Sequence, residues 1–165
     1  MGFQDKRYDQ VNYRTLSKSM ASPNDVKNYL AHWFQLGKKL VASDNQTTYH
    51  PQSVIQGDRF SPEFEQLWHQ LETTNSSDYY LEGTDETIAT LLSPAWEITN
   101  CSRCSMPVPI PEVQVNAIIC PCNDLPDWPN EELPQPRLPI NNSKRLAALK
   151  DRIQSNLSAE PALKE

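Results

Sequence analysis

Glycine is scarce in this chain: four glycines stand against fourteen prolines in 165 residues. A phosphate-binding loop needs several glycines in a short stretch, because its backbone must approach the phosphates closely. The sequence contains no such loop, and it has neither the Gly-x-Ser-x-Gly pattern of hydrolases nor the His-Glu-x-x-His pattern of metalloproteases. We therefore expect a protein that is not an enzyme.

Long apolar runs are also absent. No stretch approaches the roughly 20 apolar residues that cross a bilayer, and the first ten residues lack the apolar core of a secretory signal. Apolar residues make up 38% of the chain, below the usual share of a globular domain. These features predict a cytoplasmic protein with a modest core and no membrane insertion.

All four cysteines lie within one short window, as a C-x2-C pair and a C-x-C pair. In a reducing compartment thiols stay unpaired, so clustered cysteines favour metal binding over disulfides. Zinc takes four ligands in a tetrahedron and accepts thiolates readily, and a site with four protein ligands is structural because no position stays open. The sequence predicts one structural zinc ion per chain, bound by Cys101, Cys104, Cys120 and Cys122.

A C-x2-C turn, a pair of extended segments and a second short cysteine pair follow one another over residues 98–123. This layout resembles a zinc ribbon. Ribbons often place glycine just after the second cysteine of a pair, and here Ser105 and Asn123 hold those positions. The spacing between Cys104 and Cys120 fits a hairpin that brings the two pairs together. Val113, Val115 and Ala117 alternate with polar residues, which predicts a strand that returns to the second pair. Asparagine tolerates the left-handed backbone that such a turn requires, and serine tolerates it less well.

Other interpretations of the four cysteines remain open. The pair spacings also resemble, in the opposite chain order, the zinc site of an oxidation-activated chaperone, so a thiol or zinc redox switch is an alternative. An iron–sulfur site would need spacings that differ from these. The thiols could also carry no ligand.

Two segments have the pattern of an amphipathic helix that begins at proline. Ser22 precedes Pro23, Ser61 precedes Pro62, and Gly37 is placed to end the first helix. Apolar side chains then recur at helical spacing, namely Val26, Tyr29, Leu30, Trp33 and Phe34 in the first segment and Phe64, Leu67, Trp68 and Leu71 in the second. Short apolar runs between and after them predict strands. We expect an α+β fold with two amphipathic helices packed on a short sheet.

Composition divides the chain into five predicted regions. We expect a flexible N-terminal arm at 1–20, a small α+β core at 21–99 and the four-cysteine hairpin at 100–123. A Pro-rich extended arm follows at 124–142, and a C-terminal helix and tail, capped by Ser143, occupy 143–165.

The arm and the last helix carry the predicted partner surface. A proline-stiffened segment loses little entropy when it docks in a groove, and the last helix has a narrow apolar stripe typical of helix pairing. The predicted contacts are Leu125, Trp128, Leu133, Leu138, Leu146, Leu149, Ile153 and Leu157. These features favour an adaptor or assembly factor that binds another protein, although the arm could equally wrap its own domain.

The uneven distribution of charge along the chain suggests nucleic acid as an alternative partner. Residues 1–43 hold seven Lys/Arg against three Asp/Glu, whereas residues 44–99 hold one Arg against ten acidic residues. A nucleic-acid-binding zinc protein would use the basic end for phosphate contacts. The candidates for those contacts are Lys6, Arg7, Arg14, Lys18, Lys38 and Lys39. The acidic middle of the chain makes this function less favoured than protein binding.

Overall fold

The computed structural model describes residues 20–73, 76–112 and 120–158, with only the backbone described at 144 and 156–158. The predicted N-terminal arm, apart from Met20, lies outside the described residues. So does the predicted return strand with Val113, Val115 and Ala117. Within the described part, the chain combines helices, small antiparallel sheets and a cluster of four cysteines.

The first helix, α1, spans Pro23–Gln35 and has both predicted ends. Ser22 Oγ accepts a hydrogen bond from the Asp25 backbone N–H (3.2 Å), and the Asp25 carboxylate accepts one from the Ser22 backbone N–H (2.9 Å). This reciprocal capping box satisfies two backbone donors that the first turn leaves free. Gly37 follows the helix with φ +84°, a left-handed conformation that glycine adopts without steric cost.

The second helix, α2, spans Pro62–Thr73, and Ser61 Oγ accepts from the backbone N–H of Phe64 (3.1 Å) as a cap. Its predicted face is confirmed: Phe64, Trp68 and Leu71 are buried and Leu67 is half-buried. The rings of Phe34 and Phe64 meet edge to face with centroids 6.1 Å apart, so the two helices share one core.

The strands of the described residues form three small antiparallel sheets, where the sequence predicted one. Strands β1 (Leu40–Ala42), β2 (Thr48–Tyr49) and β5 (Tyr79–Leu81) form a sheet in the order β2-β1-β5. The other two sheets have two strands each: β3 (Ile55–Gln56) with β4 (Arg59–Phe60), and β6 (Trp96–Asn100) with β7 (Pro107–Pro111). The short helix α3 (Ile88–Leu91) lies between β5 and β6, and α4 (Ser143–Ser158) ends the described chain.

The β6–β7 hairpin includes three prolines in β7 without losing ladder hydrogen bonds. Backbone bonds from Cys101 N to Met106 O (2.8 Å) and from Glu112 N to Ala95 O (2.7 Å) close the two ends of the ladder. Since hydrogen-bonded and non-hydrogen-bonded pairs alternate along antiparallel strands, the prolines occupy the non-hydrogen-bonded positions. A residue that lacks an N–H is acceptable there.

One buried cluster connects α1 to the cysteine segment. It contains Trp33 and Phe34 of α1 together with Val108 of β7, and it extends to the cysteines and to Trp128. The predicted regions 21–99 and 100–123 thus contribute to the same core. Among the described residues, no helix is both long enough and apolar enough to cross a membrane.

Candidate metal centre

The first cysteine pair lies in the turn of the β6–β7 hairpin. Cys101 directly follows β6, and its carbonyl accepts a hydrogen bond from Ser105 N (2.8 Å). Ser105 has φ +58°, so serine does adopt the left-handed conformation that the ribbon resemblance implied after the second cysteine. This turn presents Cys101 and Cys104 to one side of the hairpin end.

The second pair lies in a short three-ten turn, Pro121–Asp124, for which Cys120 is the N-cap. The backbone N–H of Cys122 points to Cys120 Sγ (3.5 Å), and that of Asn123 donates to the Cys120 carbonyl (3.1 Å). The expectation of a left-handed Asn123 is wrong, because this residue lies inside a right-handed turn. Pro121 fixes the first position of the turn, and a C-x-C pair therefore needs no glycine.

The described residues include only part of the segment that resembles a zinc ribbon. β7 pairs with β6, the strand that precedes the first pair, and the sequence reasoning did not predict this pairing. The hairpin turn therefore carries the first pair, and a three-ten turn carries the second. The predicted return strand with Val113, Val115 and Ala117 would complete a hairpin between the two pairs, but residues 113–119 lie outside the described residues.

The four sulfur atoms converge although the pairs come from different elements. All four Sγ atoms lie within 4.8 Å of one another, and Cys104 Sγ is 3.8 Å from Cys120 Sγ. A Zn–S bond of about 2.3 Å implies sulfur–sulfur edges of about 3.8 Å in a tetrahedron. A disulfide would need about 2.05 Å, and the four thiols are free. The donor set thus fits a four-thiolate metal ion in both chemistry and spacing.

The four thiols differ in burial and in the direction in which their surroundings shift their pKa values. Cys104, Cys120 and Cys122 are buried, and Cys101 is half-buried. Burial raises the pKa of Cys104 to about 11 and also raises the pKa of Cys120. Burial would raise the pKa of Cys101 as well, but the backbone N–H groups of Cys104 and Arg103 favour its thiolate and lower this pKa to about 7. A bound dication would supply the positive charge that buried thiolates require.

Polar contacts join the two cysteine turns to each other and to the body. Arg103 Nη1 donates to Asn123 Oδ1 (3.4 Å), which links the hairpin turn to the three-ten turn. Asp124, at the end of the three-ten turn, forms an ion pair with Lys38 (Nζ–Oδ2 3.3 Å). The sequence reasoning missed this ion pair, because nothing local to either residue indicates the other.

This ion pair also weakens the nucleic-acid alternative. Lys38 was a predicted phosphate contact, but its residue exposure is only 4%. Lys39 is exposed, and Lys6, Arg7, Arg14 and Lys18 lie outside the described residues. Within the described part of the chain, Lys39 alone is left of the predicted phosphate contacts.

The Pro-rich arm wraps its own domain. Trp128, a predicted partner contact, is 4% exposed and belongs to the core, and Leu125 and Leu138 pack against that core. The Gln35 amide donates to the Arg137 carbonyl (2.8 Å) and accepts from the Arg137 N–H (3.0 Å). These three predicted anchors therefore stabilise the protein itself, and Leu133 remains exposed.

The apolar stripe of α4 faces solvent. Leu146, Leu149 and Ile153 are 63%, 45% and 60% exposed, while the side chain of Leu157 lies outside the described residues. The helix begins at Ser143, and the carbonyl of Asn142 accepts from Leu146 N (2.9 Å), so the cap precedes the predicted one by a residue. Asn142 Nδ2 also donates to Asp58 Oδ2 (3.0 Å), which fixes the start of the helix to the body.

Comparison of the chain with models of known protein families, with curated protein sequences and with solved structures finds no match. A functional conclusion for this protein therefore depends on the site geometry and on the exposed surface.

Proposed function

We propose that Cys101, Cys104, Cys120 and Cys122 hold one structural zinc ion, and that the protein is a non-catalytic adaptor that presents α4 to a partner protein. The observation that carries the proposal is the convergence of four free sulfur atoms within 4.8 Å of one another. Three of these thiols are buried, and a bound cation would balance the charge that they carry when they ionise as metal ligands.

Zinc is the metal that suits this donor set. Four thiolates in a tetrahedron are typical of zinc or of an iron–sulfur site, and the C-x2-C and C-x-C spacings differ from the common iron–sulfur patterns. Because all four donors come from the protein, no position is left for water or substrate, which supports a structural role.

The ion would join two structural elements whose facing cysteines, Cys104 and Cys120, are 16 residues apart in sequence. One side of the site is the β6–β7 hairpin turn and the other is the Pro121–Asp124 turn. Zinc binding in small modules supplies about 10–16 kcal/mol, which matches or exceeds the whole stability of a typical domain. We expect the ion to stabilise this half of the protein.

The partner surface is the apolar stripe of α4. This helix is anchored at its first turn by Asn142 and Asp58, whereas its stripe stays exposed. It also carries four Lys/Arg residues and one Asp, so a complementary partner would offer an apolar groove with an acidic rim. Such a helix gains little stability by itself in water, which supports burial against another protein.

The zinc site is tested first by metal content. Untagged protein purified under reducing conditions is analysed by mass spectrometry beside a Cys120→Ser/Cys122→Ser variant. One zinc per chain, lost in the variant together with protease resistance of the hairpin, is the expected result. Four freely titrating thiols without metal, and unchanged stability in the variant, would contradict it and favour the redox alternative.

Cobalt gives an independent test of the ligand set. Cobalt(II) titrated into metal-free protein should give sulfur-to-metal charge-transfer bands and the intense visible bands of a tetrahedral ion, saturating at one equivalent. A weak octahedral spectrum would be incompatible with four thiolate ligands.

The adaptor role needs its own comparison. Partners that co-purify with the wild type should be lost from a Leu146→Ser/Leu149→Ser/Ile153→Ser variant, while zinc content stays at one per chain. A partner retained by both proteins would rule out α4 as the docking surface. Binding of RNA or DNA with a steep dependence on salt would instead support the nucleic-acid alternative.

A further inference from the structure

The ion pair between Lys38 and Asp124 involves the turn that carries the second cysteine pair. We propose that Lys38 is a positioning residue of the metal centre: it holds Asp124, and with it the Pro121–Asp124 turn, so that Cys120 and Cys122 are set for the metal before the metal binds. This inference rests on the proposed zinc site.

The first support is the burial of a charged side chain. Lys38 is 4% exposed as a residue, and its Nζ lies 3.3 Å from Asp124 Oδ2. An amine taken out of water loses its hydration, so a buried lysine persists where an opposite charge compensates it. Asp124 provides this charge, and it stands only two residues after Cys122 in the same three-ten turn.

The second support is the rigidity of the Lys38 backbone. Lys38 N donates to the carbonyl of Trp33 (3.1 Å) and Gly37 N donates to that of Phe34 (3.0 Å). These two bonds form the Schellman motif that ends α1. The backbone of Lys38 is therefore held in place at the end of α1, and α1 is itself fixed because its apolar face is buried in the core.

The third support is the space that Gly83 leaves open. A Cβ at this residue would lie 2.5 Å from Asp124 Oδ2 and 3.1 Å from Lys38 Nζ. Gly83 also has φ +86°, which glycine adopts readily and other residues rarely adopt. The backbone between β5 and α3 thus forms one wall of the ion pair, and three separate segments meet at this point.

The consequence for metal binding is preorganisation. A turn that is already in place need not be ordered when the ion binds, so less of the binding free energy is lost. The coupling is reciprocal: if the ion pair raises the affinity for metal, metal binding strengthens the ion pair equally. Changes to residues that support metal ligands commonly weaken binding by about 10–100-fold.

The test is zinc affinity, measured by competition with a chromophoric chelator on metal-free protein that circular dichroism shows to be folded. Lys38→Met and Asp124→Asn should each weaken zinc binding by about 10-fold or more, while the stoichiometry stays at one. Lys27→Met is the matched control, because it removes an ion pair with Glu65 (2.7 Å) that joins α1 to α2. The control should keep the wild-type affinity.

Two further variants separate positioning from a general loss of stability. Asp124→Glu keeps the carboxylate, so it should restore most of the affinity that Asp124→Asn loses. The double variant Lys38→Met/Asp124→Asn should bind no more weakly than Lys38→Met alone, because both changes remove the same interaction. Additive losses, or equal losses in Asp124→Glu and Asp124→Asn, would overturn the proposal.

The outcomes also separate this inference from the proposed function. A wild type that binds no zinc refutes the zinc site itself. A wild type that binds one zinc with the same affinity as Lys38→Met and Asp124→Asn refutes only the positioning role. If Lys38→Met fails to fold, the comparison of Asp124→Asn with Asp124→Glu decides, since the Asp124 side chain is 60% exposed and tolerates substitution.

Discussion

The indole N–H of Trp33 donates a hydrogen bond to the carbonyl of Pro107 across 2.8 Å, although the two residues are 74 positions apart. Pro107 occupies a non-hydrogen-bonded position of the β6–β7 ladder, so its carbonyl points away from β6 and is free to accept. This bond attaches α1 to the hairpin that carries the first cysteine pair. The helix and the candidate metal centre therefore form one structural unit.

Trp33→Phe should lower the free energy of unfolding by about 1–3 kcal/mol, because the fully buried Trp33 would lose its hydrogen bond to the half-buried Pro107 carbonyl and leave a cavity in the core. The measurement is urea denaturation followed by circular dichroism. Trp96→Phe is the control, since Trp96 is only half-buried and packs at the edge of the core. Equal losses in the two variants would show that the hydrogen bond contributes nothing specific.

Trp128 and Leu133 look alike in sequence, as apolar residues among prolines, yet one is 4% and the other 47% exposed. Trp128→Ala should destabilise the protein by about 3–5 kcal/mol, as removal of a large core side chain does. Leu133→Ala should change the free energy of unfolding by less than about 0.5 kcal/mol. Denaturation midpoints of the two variants check this directly, and a similar shift in both would contradict the burial of the arm.

Gly83→Ala should be more destabilising than Gly37→Ala. The two glycines have nearly the same φ, +86° and +84°, so both variants incur the left-handed strain of about 1–2 kcal/mol. Only at Gly83 would the new Cβ meet Asp124 and Lys38, whereas nothing lies within 4 Å at Gly37. The measurement is the thermal unfolding midpoint of each variant. Equal decreases in the two midpoints would mean that the side chains of Lys38 and Asp124 move to accommodate the new Cβ at no cost in stability.

Asp44 should give the loop between β1 and β2 a stability that depends on pH. Hydrogen bonds from the backbone N–H groups of Thr47 and Gln46, and from the Thr47 hydroxyl, lower the pKa of this carboxyl below its ordinary 3.8. A lowered folded-state pKa contributes stability above pH 3.8, and that contribution is lost as pH falls through 3.8 toward the folded value.

The check is a pH series of unfolding curves between pH 6 and pH 2.5 for the wild type and Asp44→Asn. The wild type should lose its advantage over the variant as the pH falls, and NMR titration should place the pKa of Asp44 below 3.8. The difference between the two proteins should be small, since the carboxyl is fully exposed. A difference that grows toward low pH would contradict the sign of this effect.

The short-range features of this protein could be predicted from the sequence. The ends of α1 and the start of α2 depend on a serine cap, a proline and, for α1, a glycine within a few residues of one another. Such signals act through hydrogen bonds and backbone preferences over three or four positions. The four candidate metal ligands could also be predicted, because the affinity of thiolates for zinc and the spacing of the cysteine pairs are both evident from the sequence.

The tertiary structure decided everything that depends on distant partners. Sequence patterns could not show that β7 pairs with β6, that Trp128 is buried while Leu133 is exposed, or that Lys38 faces Asp124. The arm is held by Gln35, which is 102 residues from Arg137. Burial and ion pairing over such separations follow from the packing of the whole core, whereas composition and local spacing determine only which side chains are available for it.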